Sequence, residues 1–147
     1  MSVVDKVAVV TGGASGIGEG CVRKLWSLGY MVEILDRQSE QATRLADELN
    51  LSSNRVKCRY VDVADPHHVE ERAQEIWNEY QRLDVLVTSA GILESSANIL
   101  DMDLDAHDRV WQVNYHGTVH CARSVSNTHL RAHETLRYLV CRLLIEK

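Results

Sequence analysis

The sequence predicts an α/β fold, a three-layer, doubly wound parallel sheet, and three observations carry that prediction. Short apolar runs of strand length alternate with amphipathic stretches of helical period along the chain up to Val87. The first run, Val7–Val10, is continuously apolar, the pattern of a strand buried on both faces. Thr11–Gly18 then reads T-G-G-A-S-G-I-G, a glycine-rich turn set between that strand and a helix.

Each element can be justified in order. After Gly18, Cys21, Val22, Leu25 and Leu28 recur at helical spacing, and Gly29 ends the pattern. Met31–Leu35 is a second apolar strand closed by Asp36. From Gln38 to Leu49, Ala42, Leu45, Ala46 and Leu49 share one helix face. Val56–Val61 alternates and reads as a third strand. Asp65-Pro66 opens a third helix, because aspartate caps the free amides and proline is tolerated in the first turn. That helix carries Val69, Ala73, Ile76, Trp77 and Tyr80, and Leu83–Val87 follows as a fourth strand. Parallel strands joined by right-handed crossovers are the expected connection. Beyond Gly91 come a loop, a helix over Asp103–Val113 offering Leu104, His107, Val110 and Trp111 for burial, and a further helix opened by Asn114.

Composition narrows the function classes. The 147 residues suffice for one domain with a real core, and the net charge of −5 argues against nucleic-acid or anionic-membrane partners. No run approaches the roughly 18 apolar residues of a membrane span, and the N-terminus lacks a signal-peptide pattern. Cys21, Cys58, Cys121 and Cys141 are scattered, which suits free thiols and a cytoplasmic location.

The glycine turn is the strongest lead to chemistry. Glycines let the backbone approach a pyrophosphate, and the helix N-terminus attracts it with unpaired amides and its dipole. Asp36, at the end of the second strand and 18 residues beyond Gly18, suits the hydroxyls of an adenosine ribose and repels a 2′-phosphate. NAD is therefore favoured over NADP. Arg37 next door pulls the other way, since a guanidinium pairs well with phosphate. The plainer alternative for Asp36 is a turn or cap carboxylate.

The spacing Gly12-x-x-x-Gly16-x-Gly18, with Ser15 and Ile17 between, resembles the T-G-x-x-x-G-x-G turn of the short-chain dehydrogenase/reductase family. Three further segments match in order. Asp62-Val63 resembles the family's adenine-contacting pair, Ser89-Ala90-Gly91 the end of its N-N-A-G motif, and Val113-Asn114 the segment bearing its catalytic asparagine. The resemblance implies a Rossmann-type sheet in the order 3-2-1-4, bound NAD, and hydride transfer between the nicotinamide and a small alcohol or ketone. It also implies an oligomer built partly on the helix that Asn114 opens. Residues 1–123 carry the resemblance, so the sheet is expected to stop after about the fourth strand.

Two departures qualify that picture. Thr88-Ser89 stands where the family has two asparagines, a change that hydroxyls partly compensate. The catalytic serine and the Tyr-x-x-x-Lys pair, whose lysine brings the tyrosine's proton within reach near neutral pH, are missing. Ser124 and Ser126 follow Asn114 too closely, and Tyr138-x-x-x-Arg142 reads as a coincidental helix spacing. Residues 124–147 carry a net charge of +2 against −7 for residues 1–123, and all eight glycines lie at or before Gly117. This tail is therefore expected to be a divergent helical segment with Leu136, Leu139, Val140, Leu143 and Leu144 as its stripe, from a truncated, respliced or frame-shifted product. Asn114 is then the only catalytic member present. The expected function is that of an NAD-dependent oxidoreductase in a form lacking turnover; the alternative is a non-catalytic dinucleotide-binding or interaction module pairing with a full-length relative.

Other constellations carry less. The pairs His116/His120 and His129/His133 have a zinc-compatible spacing but no completing ligand, so they read as helix-surface histidines. Asp101, Asp103 and Asp105 begin like a calcium loop, yet Ala106 and Gln112 occupy its glycine and glutamate positions. No metal is expected. Trp26, Trp77 and Trp111 read as packing residues.

Overall fold

The computed structural model describes residues 6–93 and 98–132, with side chains through residue 128. Four parallel strands, β1 (Val7–Thr11), β2 (Met31–Asp36), β3 (Val56–Tyr60) and β4 (Val85–Thr88), form one sheet in the order β3-β2-β1-β4. The helices α1 (Gly16–Ser27), α2 (Ser39–Asn50) and α3 (Pro66–Tyr80) make the crossovers. They are followed by α4 (Leu104–Trp111), a π-helical turn over Gln112–His116, and α5 (Gly117–Ala132). Among the described residues the sheet ends at β4, and the fold class and strand order agree with the sequence reading.

Period-two alternation sorts the strands between two layers. Val10, Val32 and Ile34 face α1 and α2, where they meet Val22, Leu45 and Leu49. Val9 and Leu35 point the other way, toward Val69 and Ile76 of α3 and Cys121 of α5. All four residues expected on the inner face of α2 are buried. Leu45 and Leu49 each contribute about 1.5–3 kcal/mol when fully covered, and with the two alanines beside them this stripe fixes α2 on the sheet. On α3, Asp65 caps the helix by accepting the His67 and His68 amides at 2.9 and 3.3 Å. Those two bonds hold its carboxyl below the usual carboxylate range.

Several expectations need correction. Leu28 is exposed, because α1 stops at Ser27 and Leu28 only caps it. Leu104 and Trp111 are also exposed; the Trp111 ring meets Tyr115 edge-on and its indole donates to His107 one turn back. The helix expected over Asp103–Val113 begins after its cap Asp103 and gives way to the π turn at Gln112. Beyond these corrections, α5 runs through position 124, where the buried Ser124 hydroxyl donates to Glu70 of α3 at 3.1 Å. Tyr138 and Arg142 lie outside the described residues.

Glu33 is fully buried in the middle of β2. It receives Arg59 of β3 in a two-pronged pair, at 2.9 and 3.2 Å, and the Tyr80 hydroxyl at 2.7 Å. Burial, and then the bond to Glu33, push the Tyr80 phenol far above its ordinary range. A buried charge of this kind persists only when paired and hydrogen-bonded.

Candidate functional site

At the carboxyl ends of the strands, the position where ligands bind in open α/β sheets, the structure opens a cleft of about 790 Å³. Three segments form one wall: the turn at Gly12, Ser15, Gly16 and Ile17, the end of β2 at Asp36 and Arg37, and the end of β3 at Asp62 and Val63. Ser89, Ala90 and Gly91 after β4 and Val113 complete the lining. Asp36 and Ser89, 53 positions apart in sequence, thus share one cavity.

The glycine turn is built by close approach. Gly12 has φ +64°, and a Cβ there would stand 2.6 Å from the Ala90 backbone. Thr11 fastens the same junction: its carbonyl accepts the Ser89 amide at 3.1 Å and its hydroxyl the Ala90 amide at 3.3 Å. Gly18 does not line the cleft. It lies beneath the turn, where a Cβ would come within 2.0 Å of the Gly12 oxygen. Gly16 has open space where a side chain would be, at the mouth of α1. The first-turn amides of α1 have no acceptor inside the helix, and the Ser15 hydroxyl does not cap them. The turn therefore presents donors and a dipole to the cleft.

Asp36 is nearly buried, and both of its oxygens are held: Oδ2 accepts the Ala14 amide at 2.9 Å and Oδ1 the Gln38 amide at 2.9 Å. This carboxylate braces the glycine turn through Ala14, closes a local turn at Gln38 and also lines the cleft. Arg37 is half exposed and lies 3.8 Å from Asp62 Oδ2. The other Asp62 oxygen accepts the Ala64 amide at 3.0 Å, closing a local turn.

Asn114 stands behind Gly91 rather than in the cleft wall. Its Oδ1 accepts the Ile92 amide at 2.8 Å and its Nδ2 donates to the Ile92 carbonyl at 2.9 Å. The π turn that holds it is a departure common at functional sites. Sequence reasoning missed the Ile92 clamp and the cleft residues Tyr60 and Gln38; only their places beside Asp62 and Arg37 could have signalled them.

His120 also differs from its reading as a surface histidine. It is half-buried, and its Nδ1 lies 3.0 Å from the Val63 carbonyl. Cys121 beside it is buried, which pushes its thiol up to about 11. Among the described residues no cluster of metal-ligating side chains occurs, and no helix is long and apolar enough to cross a membrane.

Comparison with known proteins extends this picture. The family model described as short chain dehydrogenase matches residues 6–135. Short-chain dehydrogenase reductase 4 of Arabidopsis thaliana is 38% identical over 125 residues, covering 82% of this chain and 41% of that protein. A (+)-cis,trans-nepetalactol synthase of Nepeta racemosa is 37% identical over 127 residues, covering 82% and 46%. Among solved structures, sorbitol-6-phosphate 2-dehydrogenase from Erwinia amylovora superposes with a TM-score of 0.78 at 34% identity, covering 84% of this chain and 49% of that one. An actinorhodin polyketide ketoreductase with NADPH gives 0.81 at 25% identity, covering 88% and 49%. The chain spans about half the length of the curated relatives it matches.

Proposed function

The chain belongs to the short-chain dehydrogenase family, and from that premise we propose that its cleft holds a nicotinamide dinucleotide, NAD in preference to NADP. The observation that carries the reading is one cavity lined by the glycine turn, by Asp36 and by the Asp62-Val63 turn. Its volume of about 790 Å³ lies within the range of ligand pockets. The open space over Gly16, at φ +55°, leaves the backbone there accessible to phosphate oxygens.

Each residue then has a task. The amides at Ser15–Gly18 hold the pyrophosphate, and the Asp36 carboxylate accepts the adenosine ribose hydroxyls. Asp62 and Val63 border the adenine, while Ser89, Ala90 and Gly91 support the middle of the dinucleotide. Asn114 fixes the Ile92 backbone and with it the loop at the nicotinamide end. When bound, the nicotinamide supplies or accepts a hydride in exchange with a small alcohol or ketone.

Proton transfer is the part this chain does not supply. No Tyr-x-x-x-Lys occurs in its 147 residues, and Tyr80 spends its hydroxyl on Glu33. We read these 147 residues as the dinucleotide-binding part of an oxidoreductase, and the purified 147-residue chain is expected to bind without turnover. NADH and NADPH titrations followed by energy transfer from tryptophan test this. Saturable binding of NADH, tighter than NADPH by about tenfold or more for a charge repelled at Asp36, is expected. Equal or reversed affinity would assign the 2′ position to Arg37, and steady alcohol oxidation by the purified chain would overturn the absence of turnover.

A further inference from the structure

We infer that His120 is a positioning residue for the adenine end of the cleft, acting through the Val63 carbonyl; this rests on the dinucleotide reading above. The turn after β3 is held from three directions. On the β2 side, the Val61 amide donates to the Asp36 carbonyl at 3.2 Å. From α3, His68 Nδ1 faces the Asp62 amide at 3.4 Å. From α5, His120 Nδ1 meets the Val63 carbonyl at 3.0 Å across 57 residues of sequence.

The α5 contact ties the turn to the Asn114 end of the cleft. A carbonyl only accepts, so His120 must carry its proton on Nδ1 and donate it. Val63 is buried, and its carbonyl would lose a partner without this bond. One helical turn earlier, Gly117 lets Val63 lie directly on the α5 backbone: a Cβ at Gly117 would stand 2.7 Å from Val63 Cγ2. The π turn bearing Asn114 runs straight into the same helix. α5 therefore fixes the Val63 turn and the Asn114–Ile92 clamp relative to each other, and His120 is its polar link to the adenine side.

Three variants test the assignment. His120→Asn places an amide nitrogen where the imidazole Nδ1 sits and keeps the donor. His120→Leu removes the donor, and His120→Gln carries its amide one bond too far. ADP-ribose, the cofactor without its nicotinamide ring, is titrated against each variant beside NADH, with folding checked by circular dichroism. His120→Leu should weaken both ligands by the same factor, about fivefold for one lost hydrogen bond, and His120→Asn should restore affinity to within about twofold. Wild-type affinity in His120→Leu, or equal loss in His120→Asn, would overturn the inference. Should His120→Leu not fold, the comparison of Gln with Asn decides it, with equal affinity in those two variants as the contrary result. Failure of the wild-type chain to bind either ligand would instead overturn the dinucleotide reading, and this inference with it.

Discussion

At the glycine end of the cleft, polar groups face outward with room before them; at the Asn114 end, they are already spent. The first-turn amides of α1 have no intrahelical acceptor and Gly16 has open space above it. Asn114, by contrast, gives both side-chain atoms to Ile92. The difference separates amides left open to the cleft from a side chain already closed on its own loop. On the proposed reading, the first is a cradle for a ligand and the second a scaffold.

The strongest way to break that contrast is at Gly18. A methyl group there would meet the Gly12 oxygen at 2.0 Å, so Gly18→Ala should cost about 3 kcal/mol through overpacking and abolish NADH binding. Urea denaturation and titration read the two effects, and an ordinary unfolding midpoint with retained binding would contradict the account of the turn.

A smaller effect sharpens it at Asp36. Loss of a charged acceptor is worth about 1.5–3 kcal/mol, so Asp36→Ala should weaken NADH by about 10- to 100-fold. Part of that loss comes from freeing the Ala14 and Gln38 amides. Asp36→Asn, which keeps an acceptor oxygen, should lose less. Unchanged affinity in both variants would remove Asp36 from the site.

The smallest effect on binding belongs to the other end. Asn114→Ala gives up two bonds to Ile92 and should lower stability by about 1–2 kcal/mol, while NADH affinity changes by less than about threefold. An affinity loss equal to that of Asp36→Ala would erase the distinction between the two ends.

The sequence made the sheet legible because its signals are local. The Val7–Val10 run, the Ala42/Leu45/Ala46/Leu49 stripe and the Asp65-Pro66 start each encode an element within a few residues, and all three are present. Long-range pairings left no such trace. Glu33 inside an apolar strand makes sense only beside Arg59 and Tyr80, which lie 26 and 47 residues away. His120 looked like one of a surface pair because its partner is a backbone carbonyl, which every residue possesses. The same limit applies to Asn114: its family motif was readable, but its bonds to Ile92 and the π turn that aims it were not. The exposure of Leu104 and Trp111 shows the reverse error, since helical periodicity marks an apolar face without saying what covers it.

The cradle is tested most directly by an amide-resolved NMR titration of the isotope-labelled chain with NADH. The account predicts the largest shifts at Ser15–Gly18, around Asp36 and at Asp62-Val63, with smaller ones near Ile92 and Asn114. Addition of NADH without movement of the Ser15–Gly18 amides, or with its largest shifts on another face, would contradict it.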